Sequence, residues 1–173
     1  NALLANPADA ALIEVAMFPF RLRFTADTVI ALTGADTGAR LDGRRLPPFW
    51  RVPVRAGAEL VLSTPDRGAR AYVAVRGGLD VPRVLGSRAT DMKGGYGGLG
   101  GRGLARGDRI AILPPEGPAP AVPELGALPD PEVAAFWRDW SGVTEVRAVP
   151  AAEYPRFTPR SEEHTSELQS PTI

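Results

Sequence analysis

The chain has 173 residues with 20 Lys and Arg against 20 Asp and Glu, so it carries no net charge with histidine neutral. A balance of this kind supplies no long-range field for nucleic acid or an anionic membrane. With no cysteine and a single histidine, His164, disulfide frameworks, thiolate nucleophiles and Cys-based metal sites are excluded. No run of about 18 apolar residues is present.

Ala8–Leu12 reads as a short helix, with Asn6 as cap and Pro7 at the first helical position. Ile13–Ala16 and Arg21–Phe24 read as short strands separated by Phe18-Pro19. Asp27–Thr33 is a nearly continuous apolar run ending at Gly34, which suits a buried strand. Asp42-Gly43, between Ala39–Leu41 and Arg44–Leu46, is the strongest hairpin signal in the chain. Trp50–Val54 alternates as a half-buried strand, and Glu59–Ser63 and Arg70–Val75 follow, each after a Gly-containing turn. Beyond the glycine-rich segment, Asp108 leads into a strand at Arg109–Leu113. Strands spaced at about ten residues with Gly, Pro and Asp turns argue for a barrel or sandwich over βαβ units. Residues 116–130 are Pro- and Ala-rich and read as a semi-rigid extended linker. Pro131–Trp140 reads as a helix with Asp130 as cap, its Val133, Phe136, Trp137 and Trp140 forming one apolar stripe. Thr144–Val149 reads as a strand.

The most informative stretch runs from Arg70 to Asp108. Six of the eight residues from Gly94 to Gly101 are glycine, a density that needs positive φ or close backbone approach. Arg88, Lys93 and Arg102 stand around this loop, and cations beside exposed N–H groups make an anion cradle. The alternative is a structural loop closing a barrel. Arg88 and Arg102 suit a bidentate carboxylate or phosphate clamp, and Asp91 suits a general base or a group orienting Lys93. In the structural alternative Arg88 pairs with Asp80 or Asp91. Lys93 reads as a solvated lysine or as an anion ligand. The candidate anion- or substrate-binding set is therefore Arg88, Asp91, Lys93, Gly94, Gly95, Gly97, Gly98 and Arg102, with Arg76, Asp80 and Asp108 nearby. No catalytic residue and no metal ligand is assigned.

Three tempting motifs fail on context. Gly95–Gly100 satisfies G-x-G-x-x-G but lacks a strand before it and a helix after it. No P-loop pattern is present. Met92-Lys93 is followed by Gly94-Gly95, where a biotinyl hairpin would continue as strand, so no covalently attached biotin is expected.

The ordered segments RAYVAVRGGLDVP, VLGSRAT and GGYGGLGGRGLARGD resemble the carboxyltransferase domain subdomain A/B family. Its members include the C subunit of 5-oxoprolinase, KipA-type regulators, allophanate hydrolase subunit 2 and a domain of urea amidolyase. NPADAALIEV, DTVIALTGAD, LDGRRLPPFW and VRAGAELVL extend the resemblance upstream. It implies a mainly β fold, an incomplete cyclophilin-like β-barrel with short helices and a Gly-rich loop. Residues 1–115 would be the N-terminal part of that domain and 131–159 the start of a second subdomain. Members begin some tens of residues earlier, so the chain reads as a fragment truncated at both ends and inactive alone. Arg160–Ser170 (RSEEHTSELQS) matches the in-frame translation of a sequencing-adapter oligonucleotide, so 160–173 reads as a non-native tail. Setting that tail aside removes His164 and shifts the charge to about +2.

The resemblance implies the cytoplasmic C subunit of an ATP-dependent 5-oxoprolinase, converting 5-oxoproline to glutamate. ATP would be used by the complex. The partners would be the B and A subunits, the former KipI-like, and a small-molecule substrate, with neither nucleic acid nor membrane. The alternatives are the carboxyltransferase domain of a biotin-dependent urea carboxylase or amidolyase, and a non-catalytic KipA-like regulator that binds a kinase inhibitor.

Overall fold

A computed structural model describes residues 1–119, 121 and 123–138. The architecture below is that of the compact unit Asn1–Ala134. It is mainly β: two antiparallel sheets that do not close into a barrel.

After a single 3-10 turn at Ala2–Leu4 come β1 (Ile13–Val15), β2 (Phe20–Arg23), β3 (Thr28–Gly34), β4 (Arg40–Leu41) and β5 (Arg44–Arg45). They are followed by β6 (Trp50–Val54), β7 (Glu59–Leu62), β8 (Ala71–Val75) and β9 (Leu125–Gly126), and then by α1 (Pro131–Arg138). One sheet runs β1-β8-β3-β6-β9 and the other β2-β7-β4-β5. In the first, Ile30 lies opposite both Val52 and Val75, and Leu32 opposite Trp50 and Val73. In the second, Leu60 faces Leu22 and Leu41.

The apolar alternation explains the layering. Ile30, Leu32, Val52, Val54, Leu60, Leu62, Val73 and Val75 are buried in one core shared by both sheets. Strand β3 is also covered on its other face, where Ala31 and Ala74 pack on Leu4 in a smaller cluster. That is why the Val29–Leu32 run carries no polar residue. The Asp42-Gly43 hairpin forms with both residues at positive φ, the two-residue loop that matches strand twist. Asp42 Oδ1 ties its tip to the Glu59 amide at 2.8 Å.

Three elements depart from expectation. No helix forms over Ala8–Leu12. Asn6, instead of capping one, donates Nδ2 to the Val75 carbonyl and accepts the Gly77 amide at Oδ1, both at 2.8 Å, so it finishes the end of β8. Arg109–Leu113 is not a strand either. It makes one bridge, Leu79 with Ile112, flanked by bonds between Asp80 N and Ala111 O and between Leu113 N and Gly78 O. Pro82 has no N–H to extend this ladder. In the opposite sense, Leu125 and Gly126, within the linker read from composition, form β9 against Trp50 and Arg51. A Cβ on Gly126 would stand 2.4 Å from the Trp50 indole, so only glycine brings this backbone close enough to pair.

The helix expected at 131–140 forms over Pro131–Arg138, with Asp130 Oδ1 accepting the Glu132 amide at 2.9 Å. The side chains of its apolar stripe, the strand expected at 144–149, residues 139–159 of the expected second subdomain and the 160–173 tail lie outside what is described. No helix among the described residues is long and apolar enough to cross a membrane.

Candidate functional site

Strand β8 ends at Gly77-Gly78, and the chain from there to residue 110 folds against the N-terminal segment 8–14. Between them lies a cleft of about 580 Å³. One wall is the segment 8–14, the opposite wall is 86–90 with Gly98, Leu99 and 102–104, and Leu79, Val81 and Ile110 contribute apolar surface. Gly77 is required at the root of the site: at φ +93, a Cβ there would stand 2.0 Å from the Leu113 carbonyl oxygen.

The glycine loop is a packed wall and not an open nest. Gly97 and Gly98 are buried against the backbone and side chain of 89–90, and Gly101 lies on the backbone of Gly95 and Tyr96. A turn centred on Asp91 organises the loop. Asp91 pairs with Tyr96 as a bridge, and its Oδ1 accepts the Gly94 amide at 2.6 Å. The Gly94 amide first, then the Tyr96 hydrogen bond and the Lys93 amide, hold its carboxyl below the usual carboxylate range. A carboxylate so held is a weaker base than a free one.

Of the eight candidate residues, the structure brings Arg88, Gly98 and Arg102 to the cleft. Gly94, Gly95 and Gly97 shape the loop behind it, and Asp91 fastens that loop. Lys93 is exposed and does not line the cleft. Nearby, Arg76 donates to the Gly117 and Pro118 carbonyls, and Asp80 is exposed.

The charges lining the cleft nearly cancel. Arg102 makes a bidentate pair with Asp108 at 2.7 and 2.9 Å, and Asp108 also accepts the Ala105 amide at 2.7 Å. The Arg102 hydrogen bond and then the Ala105 amide push the Asp108 carboxyl down to about 2, and the same pairing raises Arg102. Asp9 is paired with Arg83, and Glu14 with Arg70 at 2.9 Å. Arg88 differs. Its guanidinium, half-buried, donates to the Val81 carbonyl and not to Asp80 or Asp91. It therefore keeps a positive charge that no carboxylate among the described residues offsets.

Sequence spacing did not single out Asp108 as the partner of Arg102, nor the 8–14 wall. The first joins residues across a turn, and the second is brought in by β1 pairing with β8 about 60 residues away. The one available signal was the acidic Asp9 and Glu14 in the N-terminal segment, each of which meets an arginine far along the chain. No group of three or more His, Cys, Asp or Glu among the described residues could hold a metal ion.

Comparison with known proteins gives these features a context. The C subunit of Escherichia coli (strain K12) 5-oxoprolinase is 46% identical over 112 residues, which cover 65% of this chain and 36% of that protein. Saccharomyces cerevisiae urea amidolyase is 39% identical over 114 residues, covering 66% of this chain and 6% of that one. The crystal structure of the K. lactis urea amidolyase superposes with a TM-score of 0.62 at 32% identity, over 70% of this chain and 8% of that chain. The chain thus spans about a third of the bacterial relative and a small part of the fungal enzymes, all of them enzymes or enzyme subunits. Residues 1–168 match the family described as "Carboxyltransferase domain, subdomain A and B", and the chain belongs to that family.

Proposed function

We propose that the chain is part of the C subunit of a cytoplasmic, ATP-dependent 5-oxoprolinase that works with B and A subunits, and that Arg88 receives the substrate carboxylate. The observation that carries this reading is the charge state of the cleft: one uncompensated guanidinium over an apolar floor. Such a site matches a small monoanion with an apolar ring, which describes 5-oxoproline. Urea has no carboxylate to place there. The cations lining the cleft do not fit a triphosphate, because Arg102 is already neutralised by Asp108. What this chain contributes is orientation. Arg88 holds the carboxylate, its Val81 contact fixes the guanidinium plane, and the packed glycine wall keeps water from one side of the lactam.

The test is ATP-dependent glutamate release from 5-oxoproline by the full-length protein co-expressed with its B and A partners. Hydrogen bonds to a charged group are worth about 1.5–3 kcal/mol, so Arg88→Ala is expected to raise KM about 10- to 100-fold with the complex still assembled. Arg88→Lys should recover part of the loss, since the charge returns without the fork. An unchanged KM in Arg88→Ala removes Arg88 from the site. Activity on urea with carboxybiotin, and none on 5-oxoproline, replaces the substrate assignment.

A further inference from the structure

A carboxylate at Arg88 accounts for only one of the acceptors that 5-oxoproline brings into the cleft. The ring carbonyl oxygen is a second, and enclosing it without a donor is costly. Most buried donors along the cleft are already spent within the protein. The amides of Leu79 and Val81 bond the carbonyls of Ala11 and Leu79, and the Arg102 guanidinium is held by Asp108. In the glycine loop behind it, the Gly94 amide goes to Asp91 and the Gly101 amide to the Gly97 carbonyl.

One donor is left over. Outside the strands, the buried amides with no acceptor among the described residues are those of Thr37, Ala39, Gly97 and Gly98. Of these only Gly98 lines the cleft. Gly98 has φ 48, and the space a Cβ would take there is filled by the Thr90 side chain. A Cβ on Gly97 would meet the Ala89 carbonyl in the same way, so the backbone at 97–98 lies against 89–90. That contact brings the Gly98 amide to the wall that carries Arg88, two residues before Thr90.

We infer that the Gly98 N–H donates to the lactam carbonyl oxygen of the bound substrate, so that this amide separates an oxo-ring acid from a plain ring acid. The inference rests on the substrate reading above and deepens it. A buried N–H without an acceptor is rare in a folded protein, and a donor shielded from water bonds its ligand more strongly than an exposed one. A neutral amide also suits a neutral oxygen, which leaves the one uncompensated charge at Arg88 to the carboxylate. Any side chain at 98 would displace Thr90 and move the donor, so glycine is needed here for placement as well as for φ.

The experiment is titration calorimetry of the full-length protein, assembled with its partners, against 5-oxoproline, 3-oxocyclopentanecarboxylate and cyclopentanecarboxylate. The last two acids differ only in the ring carbonyl. The wild type should bind the oxo acid about 2- to 10-fold more tightly than its plain analogue, the range of one neutral hydrogen bond. Replacing Gly98 by glycolic acid exchanges the N–H for an ester oxygen and should bring that ratio to one. The same exchange at Gly101 removes the 2.7 Å bond to the Gly97 carbonyl, which an ester at 98 also weakens, and should preserve the ratio. A ratio of one in the wild type overturns the inference whether or not the ester variant folds, because the amide then holds only water. A ratio that survives the ester at 98 overturns it too. A wild-type complex that does not bind 5-oxoproline removes the substrate reading and this inference with it, a result distinct from binding without preference for the carbonyl.

Discussion

Gly100 and Gly101 are neighbours at nearly the same φ, +69 and +70, yet they stand in different surroundings. A Cβ added at Gly100 meets nothing within 4 Å, whereas at Gly101 it would lie 2.0 Å from the Gly95 carbonyl carbon and 2.4 Å from the Tyr96 nitrogen. Gly100→Ala therefore carries only the left-handed backbone penalty, about 1–2 kcal/mol. Gly101→Ala carries that penalty and an overlap of about 1.5 Å with backbone atoms, judged against carbon contacts of about 3.5–4.0 Å. Relief requires the two arms of the loop to part, at about 1–3 kcal/mol more. The loop can open without global unfolding, so the assay that reads the difference is tryptic cleavage after Arg102 under native conditions, alongside urea denaturation. Cleavage in Gly101→Ala should exceed that in Gly100→Ala by about tenfold for each 1.4 kcal/mol of extra opening. Equal cleavage rates in the two variants would refute the packed wall and return the loop to an open nest.

Thr37 is 1% exposed and its hydroxyl has no hydrogen-bond partner, so Thr37→Val should raise stability by about 1 kcal/mol in urea denaturation. Asn6→Ala removes bonds to both Val75 and Gly77 and should cost about 1–3 kcal/mol, with faster amide exchange at Gly77. The Asp108 carboxyl, pushed down to about 2, stabilises the folded loop above its unfolded value near 3.9. That contribution is lost as pH falls from about 4 through about 2. A carbon-detected NMR titration should place its midpoint near the lower value, and Asp108→Asn should remove the pH dependence of Ala105 amide exchange over this window.

Much of the fold was legible because the relevant forces are local. Val29–Leu32, Trp50–Val54 and Ala71–Val75 announce themselves by apolar patterning, and Asp42-Gly43 by turn chemistry. Legibility ended where a residue's partner is distant. Asn6 followed by Pro7 is a sound helix start, but the open carbonyl of Val75 and amide of Gly77 compete for its side chain and win. Leu125-Gly126 has no strand propensity; it pairs because the Trp50 indole occupies the space a side chain at 126 would need, and glycine leaves it free. The glycine loop was found by composition alone, yet composition could not say whether its N–H groups face a ligand or its own neighbours. Arg102 looked as good a clamp as Arg88 until Asp108 was placed beside it.

The sheet order β1-β8-β3-β6-β9 also governs how the chain can be made. Among the described residues Ile13–Val15 has one strand neighbour, Ala71–Val75. During synthesis at about 5–20 residues per second, the segment 8–15 emerges several seconds before the strand it needs. In that interval β3 and β6 can already pair, while Ile13, Val15 and the cleft wall they carry wait in water. The cleft can thus close only once the chain has emerged past Ile110, with only β9 and α1 still to be added, and until then its 8–14 wall stands open to proteases and chaperones.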